Sequence, residues 1–253
     1  MTSARIASTG SPWPETCSSS SCAWPTRASR AARAIGVFLG HIAVGLAGKR
    51  FAPRASLATL LFAPLFLDLL WPIFVLLGWE SVRVVPGKTA FTSLDFESYP
   101  WSHSLHMTLF WSGLIAIVFR AITRDTRTAL WIGFAVASHW VMDWITHRPD
   151  LPLWPSGPRV GLGLWDSVAA TAIVEILLFV VALWLYLRGT RPRGSRGRLS
   201  LWSFVVAVTL IYFANFRPYP GGTEERTIAL MALGLWLIFP WAWWIDFTRR
   251  TVR

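Results

Sequence analysis

The stretch SLATLLFAPLFLDLLWPIFVLLG, Ser56–Gly78, decides the class of the fold. A helix needs about 20 apolar residues to cross a hydrocarbon core, and this run supplies them. One ionisable side chain, Asp68, interrupts it, with Pro64 before it and Trp71-Pro72 after. A carboxylate at that depth is costly unless it is paired or coordinates something. The same stretch therefore predicts a transmembrane helix and a polar site inside the membrane.

Outward from it, the chain repeats the pattern. Apolar runs occupy Ala34 to about Gly48, His103 to about Ile122, Thr128 to about Ile145, Trp165 to about Leu187, Leu199 to about Phe216 and Thr227 to about Phe247. The first is short, so it either spans or is half-inserted. Its Gly40, Gly45 and Gly48 would let neighbouring helices approach closely. Charged residues make up 15% of the chain, well below the roughly 25% of soluble proteins, and mean hydropathy is +0.46. The expected fold is all-α, a polytopic transmembrane helical bundle of about six to seven membrane segments.

Residues 1–33 are rich in Ser, Ala, Arg, Thr and Pro and hold no apolar run. They read as a disordered tail rather than a secretory signal. Both cysteines, Cys17 and Cys22, fall in that tail and are taken as incidental. Residues 34–253 form the transmembrane domain, with a metal-site core over 34–170 and scaffold helices over 171–253.

The net charge of +11 first raises nucleic acid as a partner. The basic residues instead sit in short loops between apolar runs, as cytoplasmic loops do. Arg188–Arg198 and the Arg249–Arg253 tail are therefore expected in the cytoplasm, with Lys49–Arg54 and Arg120–Arg127. That places a cytoplasmic C-terminus, and puts loops 79–102 and 147–164 outside.

Five histidines carry the chemistry. In Ser138-His139-Trp140-Val141-Met142-Asp143-Trp144-Ile145-Thr146-His147-Arg148-Pro149-Asp150, the residues His139, Asp143 and His147 are spaced i, i+4, i+8. On a helix they line one stripe. His103 and His106 are i, i+3 and so share a face at the start of the span from His103 to about Ile122. His41 lies in the first apolar run, and Glu175 inside the Trp165–Leu187 run as a base, a partner or a packing group. Imidazole nitrogens and carboxylate oxygens are ligands of catalytic divalent ions. Four packed helices could assemble a site from His41, Asp68, His103, His139 and Asp143. Zn²⁺ is the favoured ion, with Mn²⁺ or Mg²⁺ as alternatives. Such an ion acidifies water towards a pKa of about 7 and polarises a phosphoryl or carbonyl group. His147 or His106 would then be the general acid/base. The apolar surroundings favour a membrane lipid or lipid-linked substrate.

Several of these residues carry a resemblance. Ser102-His103-Ser104 before a span, Ser138-His139-x3-Asp143-x2-Thr146, and the exit Leu151-Pro152-Leu153-Trp154-Pro155 resemble the bacterial inner-membrane metal-dependent hydrolase family, some of whose members are linked to the SOS response. The family's early Gly-His is matched by Gly40-His41. Its Asp-x-Asp-His-Pro motif is approached by Asp68-Leu69-Leu70-Trp71-Pro72, where Leu70 and Trp71 replace the second Asp and the His. Ser98, Tyr99 and Pro100 stand where the family has His-Arg-Gly. The resemblance covers roughly residues 34–170 and is strongest over 138–155. It implies a metal-dependent hydrolase of the inner membrane. Two other readings use the same residues: a transporter or ion-handling protein in which they form a relay, and a structural membrane protein in which they pair across helices.

Overall fold

The computed structural model describes residues 38–214 and 223–252. The tail at 1–33 and both cysteines lie outside the described residues. In chain order the elements are α1 (Phe38–Phe51), α2 (Leu57–Leu76), β1 (Ser81–Val84), β2 (Leu94–Ser98), α3 (Pro100–His103), α4 (Leu105–Thr123), α5 (Thr126–Thr146), β3 (Leu151–Pro152), β4 (Arg159–Val160), α6 (Val168–Gly189), β5 (Thr190–Pro192), α7 (Gly194–Ala214), α8 (Glu225–Ala232), α9 (Ile238–Thr248) and β6 (Arg249–Thr251). Short 3₁₀ segments at Leu164–Asp166 and Leu233–Leu237 precede α6 and join α8 to α9.

Five helical stretches are long and apolar enough to cross a membrane: Leu57–Leu76, Leu105–Thr123, Val168–Gly189, Gly194–Ala214 and Glu225–Thr248. The helical bundle expected from the apolar runs is therefore present. Two of the six to seven expected segments differ in kind. α1 has 14 residues, about 21 Å at 1.5 Å per residue, against a hydrocarbon core of about 30 Å. α5 has the length but also carries Arg127, His139 and Asp143. The His and Asp side chains of both helices face protein rather than lipid.

Polar caps set where the helices begin. The Ser56 hydroxyl accepts from the Thr59 amide and the Ser104 hydroxyl from that of Met107. The Asp125 carboxylate accepts from the Thr128 amide and the Ser167 hydroxyl from that of Ala170. Asp246 of α9 accepts from the Leu57 amide at 2.7 Å and so ties the C-terminal helix to the start of α2.

α2 is the central post, with 67% of its most apolar window buried against 6% for α4. The largest apolar cluster joins Ile42 and Leu46 of α1 to Leu61 and Leu65 of α2, Phe179 and Tyr186 of α6, Phe204 of α7 and Ile245 of α9. α1 can lie against α2 because Gly45 has no side chain: a Cβ there would sit 2.6 Å from Leu61 Cδ2. α4 is exposed along Leu109, Ile117 and Ile122, the surface expected of a helix bathed in lipid.

The ends of the bundle differ. At one end β1 and β2 form an antiparallel hairpin and β3 pairs with β4. Loop 79–102 is thus ordered by this hairpin, whose Arg83 pairs with Glu97. At the other end β5 pairs with β6, setting Arg191 against Arg250, and Thr251 reaches the Pro53 carbonyl. The basic linker, the basic tail and the Lys49–Arg54 turn share this end, as one-sided loops should.

Candidate functional site

His139 and Asp143 are one turn apart on α5, so their side chains stack on the helix's inner face. Facing them are His41 of α1, Asp68 of α2, and His103 at the end of the one-turn helix α3. Pro64 and Pro72 bracket Asp68 four residues to either side and each removes a helical hydrogen bond around it.

The five groups converge. His139 Nε2 lies 3.1 Å from Asp143 Oδ2 and 3.7 Å from Asp68 Oδ1. His41 Nε2 is 3.3 Å from Asp143 Oδ1 and 3.9 Å from Asp68 Oδ2. His103 Nε2 is 3.6 Å from Asp68 Oδ1, 3.7 Å from Asp143 Oδ2 and 3.2 Å from His139 Nε2. His41, His139 and Asp143, and likewise Asp68, His103 and His139, each place three donor atoms within 4.8 Å of one another, close enough to hold a metal ion. The His41 and His139 rings stack at 3.9 Å. All three histidines are buried.

The far nitrogens fix which atoms face the centre. His139 Nδ1 lies 2.7 Å from the Pro64 carbonyl oxygen, which can only accept. Nδ1 therefore carries a proton, and in the neutral ring Nε2 presents a lone pair. His103 Nδ1 lies 2.6 Å from the Ser102 hydroxyl, which donates to Glu80 Oε2 at 2.6 Å. That hydroxyl then accepts from His103 Nδ1, and in the neutral ring His103 Nε2 also presents a lone pair. Glu80 is anchored by the amides of Trp101 and Ser102. Burial pushes its carboxyl up from the ordinary value, against the pull of His103 and these bonds. Backbone carbonyl and carboxylate partners of this kind orient the histidines of metal sites. His41 Nδ1 has no hydrogen-bond partner among the described residues. Imidazole nitrogens and carboxylates gathered in this way are a ligand set that can hold a metal ion.

The two remaining histidines part company. His147 is the C-cap of α5, with φ −64° and ψ 146°, and so leaves the stripe that the i+8 spacing implied. Its Nδ1 lies 2.9 Å from Asp150 Oδ1, which also accepts from the Tyr99 hydroxyl at 3.0 Å. Its ring packs on Trp165, with centroids 4.0 Å apart. Burial raises the Asp150 carboxyl, but His147, Tyr99 and Arg148 outweigh it and hold the group below the ordinary carboxylate value. Burial, and then Asp150, push the Tyr99 phenol well above its usual value, so it stays a donor. Gly161 runs so close to this turn that a Cβ would overlap the His147 and Arg148 carbonyl oxygens.

His106 does not join either group. Ser104 is extended, with φ −67° and ψ 147°, and it ends α3 and caps α4. His103 and His106 therefore belong to different helices and share no face. His106 is exposed, among Leu105, Leu109, Phe110, Leu153 and Trp154. Its expected role as general acid/base has no geometry behind it.

A cavity of about 430 Å³ opens beside the cluster. His41, Asp68, His103, Asp143 and His147 all line it. Its other walls are apolar and come from Trp71, Phe96 and Trp165 and from the C-terminal helices. The helices expected as scaffold thus form part of the cavity wall. Glu175 is buried on α6 and does not line the cavity. Glu80, Tyr99 and Asp150 were not singled out from sequence. The only signal for the two carboxylates was an acidic residue close to a motif, which most surface loops share.

No curated protein and no solved structure matches the chain. Residues 97–219 match the family model described as YdjM inner membrane protein, a range that includes His103, His139, Asp143 and His147 but neither His41 nor Asp68. With the five long apolar helices, the match bears out the inner-membrane resemblance read from the sequence: this is a membrane protein similar over residues 97–219 to the YdjM inner membrane protein family.

Proposed function

We propose that this protein is a membrane-embedded, metal-dependent hydrolase acting on a phosphoester or lipid-linked substrate, multi-pass in the inner membrane with its C-terminus in the cytoplasm. The observation that carries the reading is the convergence of three imidazoles and two carboxylates, with His41, Asp68, His103 and Asp143 lining one cavity. His41, Asp68, His103, His139 and Asp143 would hold the ion. A divalent ion bound there supplies charge stabilisation for a phosphoryl or carbonyl group and acidifies water.

The protein's own groups do the rest. His147 gives its Nδ1 hydrogen to Asp150 and leaves Nε2 for the cavity that its ring lines. It accepts a proton from attacking water and returns one to the leaving oxygen, as a general base and then acid. Tyr99 and Asp150 hold the ring in that orientation. The apolar walls exclude bulk water from the reacting atoms.

The test is metal content by mass spectrometry of protein purified in detergent, wild type beside His139→Ala and Asp143→Ala. Near-stoichiometric Zn²⁺ or Mn²⁺ in the wild type, lost in both variants, supports the reading. A folded wild type that binds no divalent ion even after incubation with Zn²⁺, Mn²⁺ and Mg²⁺ sinks it.

A further inference from the structure

We propose that α7 and the Glu225–Thr248 segment form the binding site for a single apolar chain of the substrate, and that the head this chain delivers is a phosphodiester with one negative charge. The head half of the inference rests on the hydrolase reading. The chain half rests on the cavity alone.

One cavity is lined both by His41, Asp68, His103 and Asp143 of the cluster and by an apolar wall built by residues such as Phe204, Ala207 and Val208 of α7 and Gly234 and Ile238 across from them. Its rim includes Ile211, Met231 and Leu237, which are 49%, 53% and 74% exposed. These rim residues sit on two segments long and apolar enough to cross the membrane. The cavity therefore opens towards lipid, and a chain can slide in sideways without leaving apolar surroundings. Volumes of about 300–1,000 Å³ are usual for ligand sites, and this one falls in that range.

The wall is locally irregular where it faces the cavity. The segment Glu225–Thr248 changes from α to 3₁₀ over Leu233–Leu237 and back again. A 3₁₀ stretch inside a longer helix commonly marks a functional position. At Gly234, within it, an added Cβ meets no atom within 4 Å. The missing side chain leaves room that nothing in the described structure fills.

Charge limits the head. Asp68 and Asp143 are the carboxylates that line the cavity, and no Lys or Arg lines it among the described residues. A divalent ion balances those two charges and no more. A diphosphate or a doubly ionised phosphate monoester would bring two or more negative charges into a buried site with no further cation, a larger cost than a singly charged head incurs. A phosphodiester brings one.

The experiment uses the full chain in lipid nanodiscs and three single-chain photolabels with a diazirine in the chain: a lysophosphatidylglycerol, an alkyl phosphate and an alkyl diphosphate. Labelled positions are mapped by peptide mass spectrometry in wild type, Gly234→Phe and His139→Ala. The diester label is expected on α7 and on Met231–Leu237. Gly234→Phe should lower that labelling by about tenfold with Zn²⁺ content unchanged. Ala207→Phe, on the facing wall, serves if Gly234→Phe does not fold. His139→Ala, lacking metal, should still take the chain but lose preference among the heads. Labelling spread equally over lipid-facing α4, or insensitive to both plugging variants, overturns the chain site. Equal or stronger labelling by the diphosphate or the monoester overturns the head assignment. Wild type without metal but with Gly234-sensitive labelling removes the hydrolase reading and leaves the chain site standing.

Discussion

His103 Nε2 and His139 Nε2 lie 3.2 Å apart, while Ser102 and the Pro64 carbonyl hold the opposite nitrogens of the two rings. With both rings neutral and hydrogen on Nδ1, the two Nε2 lone pairs and the Asp68 and Asp143 oxygens beside them face one common point. A shared cation held by these residues would neutralise the charge gathered there.

If Glu80 orients His103 through Ser102, removing the link should weaken metal binding without removing a ligand. Ser102→Ala and Glu80→Gln are each expected to lower Zn²⁺ affinity by about 10–100-fold, the usual cost of losing a partner behind a ligand. Competition against a chelator of known affinity measures it. Unchanged affinity in both would mean that packing alone sets the ring.

The proton-transfer role of His147 separates from metal binding. His147→Ala should keep its metal and lose about 10²–10⁴-fold in kcat on any substrate the wild type hydrolyses. Asp150→Asn should fall in the same direction by less, since the ring remains. His106→Ala should change neither quantity. A His147→Ala enzyme with full turnover would reassign the acid/base role.

What could be read from sequence divides along a physical line. Asp68 and His139–Asp143 were legible because a charge in an apolar helix has few explanations, and because i, i+4 spacing holds as long as the helix does. His147 and His106 were misplaced where the helix does not hold: His147 caps α5, and Ser104 breaks the chain between His103 and His106. Ser104 is a strong N-cap type, so that break was available from sequence, though a Ser followed by an apolar run also occurs inside helices. Glu80 and Tyr99 reach the site through the β1–β2 hairpin and the turn after it, long-range pairings that no local spacing encodes.

The pH dependence of stability follows from Asp150. Its folded pKa lies below the unfolded value of about 3.9. Such a group contributes stability in full above the unfolded value and loses it as pH falls through the folded one. Thermal melts of metal-stripped protein should therefore show a loss of stability below about pH 4 that is shallower in Asp150→Asn, which has no proton to gain. Identical slopes in the two proteins would show that the His147–Asp150 pair adds nothing to folding.

Gly161 tests whether the turn holding His147 is set by backbone contact. Its amide neighbourhood is fully used: the Leu162 amide donates to the Trp144 carbonyl and the Gly163 amide to that of His147. A methyl group at 161 would overlap the His147 and Arg148 carbonyls, which are backbone and cannot swing aside as a side chain would. Gly161→Ala should therefore cost about 1–3 kcal/mol of stability, the range for forced overpacking. It should also displace His147 from Asp150 and depress kcat towards the His147→Ala level. Zn²⁺ content should stay at the wild-type value, because His139 and Asp143 lie within α5, upstream of the turn. A melting temperature and a metal assay on one preparation check both halves. Loss of metal together with stability would show that the turn and the metal ligands fold as one unit.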